Sequence, residues 1–233
     1  MVPRGGGLGH RHACITLLTP ITPRFPLPFP SCPPSNPALH PPPTTPGCDL
    51  QHSQLNKIDA LIAKAGITAE HHVLEVGCGW GSFAIRAAAS TGCRVTGLTL
   101  SKEQLAEATA RVKAAGLGDR VTLLFCDYRD CPGAGSYDRV VSCEMIEAVG
   151  QEHLVAYFRT LGSMLRPGGT AVLQVIAEPD ERYESYCASS DFIREHIFPG
   201  GHLPSMGAMV EAARGTGLTG GWARGAGARR HAP

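Results

Sequence analysis

The pattern of apolar and polar positions changes character twice along this chain, and the middle part carries nearly all of its regularity. In QLNKIDALIAKAG (54–66), apolar side chains fall at 55, 58, 61, 62 and 65, one face of a helix that Gly66 stops. HVLEVG (72–77) reads as a short buried strand and SFAIRAAAS (82–90) as a helix. RVTGLTL (94–100) is a second strand, and Ser101 is a good N-cap for KEQLAEATARVKAAG, which Gly116 closes. RVTLLFC (120–126) and YDRVVSCE (137–144) predict a third and a fourth strand. EHLVAYFRTLGSMLR (152–166) predicts a helix, PGG (167–169) a turn and TAVLQVI (170–176) a fifth strand. Strands and helices alternate throughout, which predicts an α/β fold with a doubly wound, mainly parallel sheet.

The two flanks lack this pattern. Residues 1–48 contain TPRFPLPFPSCPPSNPALHPPPTTPG and no acid before Asp49. So many prolines predict a disordered extension that supplies neither a helix nor a paired strand. A targeting peptide, a flexible arm and a non-native start at a misplaced gene boundary all fit it, and the abrupt change at Asp49 favours the last. Residues 49–218 form the predicted domain. Within it, EPDERYESYCASSDFIREHIFPGGHLPS (178–205) mixes polar and aromatic residues and reads as a lid or substrate-facing insertion. Residues 219–233, rich in Gly, Ala and Arg, read as a disordered tail.

Composition narrows the class. The 233 residues carry 21 Lys and Arg against 20 Asp and Glu. That balance argues against a nucleic-acid binder. Nine cysteines without a CxxC pair argue against a zinc knuckle and suit reduced thiols of a cytoplasmic protein. No run approaches the roughly 18 apolar residues of a membrane span. His153, His196 and His202 read as surface or loop residues, and no metal site is predicted.

The chemistry concentrates at the first strand-to-helix turn, Gly77-Cys78-Gly79-Trp80-Gly81. In a doubly wound sheet this turn faces the ligand crevice. A dinucleotide would call for GxGxxG and for an acid after the second strand. Here the spacing is GxGxG and the second strand ends GLTLS, so a nicotinamide cofactor is disfavoured. Glu75, two residues before the first glycine, suits S-adenosylmethionine, whose cationic groups favour carboxylate and backbone oxygens.

VLEVGCGWGSFAIRAAASTGCRVTGLTLSKEQLAEA (73–108), CDYRD (126–130), YDRVVSCEMIEAVG (137–150) and IFPGGHLPS (197–205) resemble the cyclopropane-fatty-acyl-phospholipid synthase and mycolic acid cyclopropane synthase family. The likeness spans about residues 49–218, and residues 173–201 are most similar to plant and algal members. It implies a Rossmann-like class I methyltransferase core using S-adenosylmethionine. It also implies a substrate that is a cis double bond in a phospholipid acyl chain, peripheral membrane contact and no nucleic acid. Carried over by motif, Val73, Leu74, Glu75, Val76, Gly77, Cys78, Gly79, Trp80 and Gly81 form the cofactor turn. Thr99, Leu100, Ser101 and Gln104 line its ribose and methionine side, and Asp127, Tyr128 and Arg129 its adenine. Glu147 matches the glutamate that helps hold a bicarbonate ion serving as base. Gln174 stands where bacterial members carry a histidine, and an amide can hold an anion but cannot titrate.

Other readings stay open at these positions. Asp127 also suits a strand-end turn, Gln104 an exposed helix face, and Glu144 and Glu147 a helix cap. If the turn after the fourth strand is helical, Glu144 and Glu147 share a face. The family's upstream Tyr-Ser/Cys segment, its C-terminal tyrosine and cysteine, and two strands beyond the fifth have no match. The chain therefore reads as truncated at both ends, with an open sheet edge. A small-molecule N-methyltransferase of the coclaurine type, and a non-catalytic cofactor-binding fragment, are the alternatives.

Overall fold

The computed structural model describes residues 13–18 and 50–220. Of the tail expected to be disordered over 219–233, residues 219 and 220 instead belong to a strand, Leu218–Gly220, and what was expected of the remainder and of the rest of the extension lies outside the described residues. The elements are β1 (Ala13–Leu18), α1 (Leu50–Ala65), β2 (His72–Val76), α2 (Ser82–Thr91), β3 (Arg94–Thr99), α3 (Lys102–Ala114), β4 (Val121–Phe125), β5 (Tyr137–Cys143), α4 (Leu154–Met164), β6 (Leu165–Gln174), α5 (Asp180–Ala188), α6 (Met206–Ala213) and β7 (Leu218–Gly220). One sheet runs in the order β4-β3-β2-β5-β6-β1-β7 with every pairing parallel.

Alternation along the strands builds a three-layer core. Val73, Val95, Val141 and Val172 face one side, against Ile58, Leu61, Phe83, Ala84 and Val112 of α1, α2 and α3. Leu74, Val76, Val140 and Leu173 face the other, against Tyr157, Phe158 and Leu161 of α4 and Met209 of α6. Chain order reverses between β2 and β5. The chain leaves β2 toward β3 and β4, then returns to β5 on the other side. The crevice outside these two strand ends is where such sheets bind ligands.

Four expectations are corrected here. Residues 13–18 form a strand paired with β6, because ACITLL is free of proline although the surrounding segment is not. The edge beside the fifth core strand is therefore paired, first by β1 and then by β7. The PGG turn lies inside β6. Tyr137 pairs with Leu165 and Arg139 with Thr170, so residues 166–169 bulge from the ladder without ending it. His202 lies in a loop, but the surface reading of it does not hold: it is buried, its ring against Tyr183 and Tyr186 and its Nε2 2.7 Å from the Tyr183 hydroxyl.

Candidate functional site

The cofactor side of the crevice begins where β2 runs into α2. Val73, Leu74 and Val76 are wholly buried, so they fix the turn through their backbone and packing. Gly77, Gly79 and Gly81 all have positive φ. A Cβ on Gly79 would meet nothing within 4 Å, so the backbone there is open to a ligand, whereas one on Gly81 would meet Ala108 at 3.1 Å. The Gly77 and Cys78 amides donate to the Leu98 carbonyl at 3.2 and 2.7 Å and tie the turn to β3. Cys78 is buried and its thiol is pushed up to about 12, chiefly by burial, so it packs and does not react. Trp80 is exposed, and Arg111 of α3 donates to its carbonyl at 2.6 Å.

Glu75 is the anomaly of this turn. It is buried at 4 % exposure, accepts a bond from the Ala84 amide, and has an Oε2 without any partner. Burial pushes its carboxyl well above the ordinary glutamate value.

The neighbouring groups satisfy one another. Thr99 Oγ1 donates to Gln104 Oε1 at 2.9 Å, and the Gln104 amide donates to Ser101 Oγ at 3.1 Å as the N-cap of α3. Leu100 is exposed between them. Asp127 caps a turn at Tyr128–Asp130 and takes a bidentate pair from Arg129, at 2.9 and 2.7 Å. That guanidinium holds the Asp127 carboxyl below its usual range. Tyr128 stands edge-on to Tyr157 with ring centroids 5.3 Å apart.

The ends of β5 and β6 are wired over long distances. Lys57 of α1 reaches Glu144 Oε1 at 3.2 Å, and Gln174 Nε2 donates to the same oxygen at 2.8 Å. Gln174 Oε1 accepts from Cys143 Sγ at 3.1 Å. Gln174 thus holds Glu144 in place. Among the described residues Glu144 is the one non-glycine residue with positive φ, at +51°. Its amide donates to the Gln174 carbonyl at 2.9 Å, which extends the β5–β6 pairing by one bond. Glu144 and Glu147 therefore do not share a helix face, since the short 3-10 turn begins only at Ile146.

Glu147 Oε1 accepts from the Ile176 amide at 2.6 Å, and its Oε2 is buried without a partner. Burial raises its carboxyl above the ordinary value and the Glu144 charge adds to this, while the Ile176 amide opposes both. The Glu147 carbonyl accepts from the His202 amide at 2.8 Å, which ties it to the loop after Phe198. Ile176 and Phe198 themselves stand exposed. The Cys143 thiol, pushed up to about 11 by burial, also feels Glu144, Glu75, Glu147 and, in opposition, Lys57. Three carboxylates thus surround the end of β5.

The structure accordingly sets Glu75 in β2 just before the glycine turn, Gln174 at the end of β6 and Glu147 just past the end of β5. It keeps Asp127 and Arg129 occupied with each other. Lys57 was missed, because a lysine on the polar side of a helix 87 residues before its partner leaves no local signal.

A model of the mycolic acid cyclopropane synthetase family matches residues 44–221. The tuberculostearic acid methyltransferase UfaA1 of Mycobacterium tuberculosis is 45 % identical over 177 residues, 76 % of this chain and 41 % of that protein. A probable fatty acid methyltransferase of Pseudomonas putida is 39 % identical over 165 residues, 70 % of this chain and 42 % of its own. The chain thus spans about two fifths of the length of these relatives. Among solved structures, mycolic acid cyclopropane synthase CmaA1 complexed with SAH and CTAB superposes with a TM-score of 0.67 at 31 % identity. That match covers 74 % of this chain and 63 % of the other.

Proposed function

The chain belongs to the mycolic acid cyclopropane synthetase family of S-adenosylmethionine-dependent methyltransferases, and on that footing we propose that it methylates a double bond in an unsaturated lipid acyl chain, as a cyclopropane synthase does. One observation carries this reading. The Glu147 carboxyl is buried, anchored by the Ile176 amide and left with a free oxygen, next to the exposed apolar Ile176 and a short loop from Phe198.

The residues on the cofactor side suit the cofactor. Gly79 presents open backbone, and the unpartnered Glu75 oxygen suits a ligand with cationic groups. S-adenosylmethionine, when bound, supplies an electrophilic methyl group. Gly81 and Gly97 let the turn sit close on its neighbours. A Cβ on Gly97 would come within 2.8 Å of Leu123 and 2.9 Å of Cys78.

On the reactive side, positive charge develops on the acyl chain in apolar surroundings, where fixed dipoles and charges act strongly. A neutral Glu147 can donate a hydrogen bond to an anion from its free oxygen. That suits bicarbonate, which when bound supplies the base, with Glu147 as the residue that would hold it. Gln174 contributes through Glu144, to which its amide is committed.

Relatives named as fatty acid methyltransferases support a methyl branch as the alternative product, in which the carbocation left by the same transfer loses a proton to form an alkene in place of the ring. The test incubates the full chain with methyl-labelled cofactor and unsaturated phospholipid vesicles. Label is expected in the acyl chains, and proton NMR of the product separates a cyclopropane ring from a branch. Label in added amines and none in lipid would overturn the reading in favour of N-methylation. Absence of calorimetric cofactor binding would overturn both.

A further inference from the structure

Glu144 is unaccounted for by that mechanism, although the fold goes to some length to hold it. A left-handed backbone at a non-glycine residue is strained, and it persists only where its surroundings over-determine it. At Glu144 they do. The Gln174 carbonyl takes its amide, and the Gln174 side chain and the Lys57 ammonium both take Oε1. Glycine would relax this backbone, so the glutamate is there for its side chain. Oε2 has no hydrogen bond among the described residues and is left as the free side of the carboxylate.

Stability does not explain the arrangement. The Lys57 and Glu144 side chains are 29 % and 41 % exposed, and such pairs add little to a fold. Charge explains it better. Of the three carboxylates around the end of β5, Glu75 and Glu147 are buried with an unpaired oxygen each, which disfavours their charged forms. Glu144 alone has an ammonium and an amide directly against its carboxyl. Neighbouring carboxyls placed in opposed environments divide their labour.

Resting on the acyl-methylation reading, we propose that Glu144 is a fixed anion facing the positive charge that develops on the acyl chain, and that Lys57 is the positioning residue that, with Gln174, holds it there. No bond to either residue forms or breaks. Glu147 keeps its place as the holder of an anion through its free oxygen, and Glu144 supplies the charge.

The test uses the full chain and the vesicle assay. Glu144→Gly removes the carboxylate and relaxes the backbone, so the variant keeps or gains thermal stability. It should bind cofactor and lipid within about twofold of the unmodified protein while kcat falls by at least about tenfold. Glu144→Gln, which keeps the shape, should lose a similar factor. Lys57→Met should fall in the same direction and Lys57→Arg should recover most of the rate. A Glu144→Gly variant with kcat within about twofold of the parent sinks the proposal. So do rates that merely follow melting temperature across the set.

A second readout needs no turnover. Hexadecyltrimethylammonium, below its micelle-forming concentration, puts a positive charge on an apolar chain. The unmodified protein should bind it more tightly than an uncharged hexadecyl glucoside, and Glu144→Gly should lose that preference. Equal preference in both proteins overturns the placement of Glu144. If the unmodified protein transfers no methyl group at all, the acyl-methylation reading fails by itself, and the cation preference still decides this one.

Discussion

On the β2–β3–β4 side of the crevice, the Thr99 and Asp127 side chains find their partners close by in sequence. Thr99 and Gln104 are five residues apart, Asp127 and Arg129 two. On the β5–β6 side the corresponding bonds span 29 residues from Glu147 to Ile176, 30 from Glu144 to Gln174 and 87 from Lys57 to Glu144. The first side is a cradle of backbone and caps that short motifs can specify. The second is a set of carboxyls whose charge depends on elements brought together only by the complete fold. On the proposed function, binding and reaction are separable, and mutations on the two sides should fail in different ways.

The largest separation is expected at Glu147. Glu147→Gln keeps the acceptor for the Ile176 amide but cannot reproduce the carboxyl proposed to hold the anion. Turnover should fall by about 10²–10³ while cofactor affinity stays within about twofold. Titration calorimetry beside the vesicle assay measures both. An equal loss of both would merge the two sides and refute the role given to Glu147.

Glu75 sharpens the contrast from the other direction, since its free oxygen makes it the unsatisfied member of the cofactor side. Glu75→Gln should weaken cofactor binding by roughly 1.5–3 kcal/mol, the range for a hydrogen bond to a charged group. Its pH dependence has a defined sign. Burial keeps the free carboxyl protonated above its ordinary range, yet the ionised form attracts the cofactor cation. Binding should therefore release a proton and tighten as pH rises toward the raised value. Stability runs the other way. The raised carboxyl contributes stability that is full below the ordinary glutamate range and is lost as pH rises. Calorimetry in buffers of different ionisation enthalpy detects the proton, and binding without release would leave Glu75 outside the cofactor site.

A smaller effect tests the packing beneath the turn. In Gly97→Ala the new methyl would crowd Leu123 and Cys78, which costs roughly 1–3 kcal/mol of folding stability in urea titrations. The shift of Cys78 should also weaken cofactor binding, with kcat at saturating cofactor unchanged. A loss confined to kcat would contradict the division of the crevice.

The same contrast explains what was legible in the sequence. The core strands and helices from α1 to β6 followed from apolar period and caps, because each signal, such as Ser101 before α3, lies within the element it marks. β1 was hidden by the prolines around it, since six good strand residues weigh little in a window dominated by their neighbours. The bulge in β6 looked like a turn because PGG has turn composition. Whether such a segment ends a strand depends on whether Leu165 finds Tyr137 across the sheet. At the candidate site, the glycine turn and Glu147 are proposed from short motifs. The left-handed Glu144 and its lysine could not, since both are properties of a contact and of no short stretch of chain.

The smallest expected effect lies where the local side is most self-contained. Arg129 holds the Asp127 carboxyl below its ordinary range through a side-chain hydrogen bond, and the pair sits largely in water on the arginine side. A lowered carboxyl stabilises the fold above its ordinary value, and this contribution fades as pH falls through the lowered one. Thermal melts of Arg129→Ala should therefore differ slightly from those of the unmodified protein at about pH 7 and converge with them near pH 3. Surface pairs of this kind are screened, so added salt should shrink the difference. A large difference that persists at high salt would mean that Asp127 and Arg129 brace the fold, and their pairing would then belong with the long-range wiring of β5 and β6.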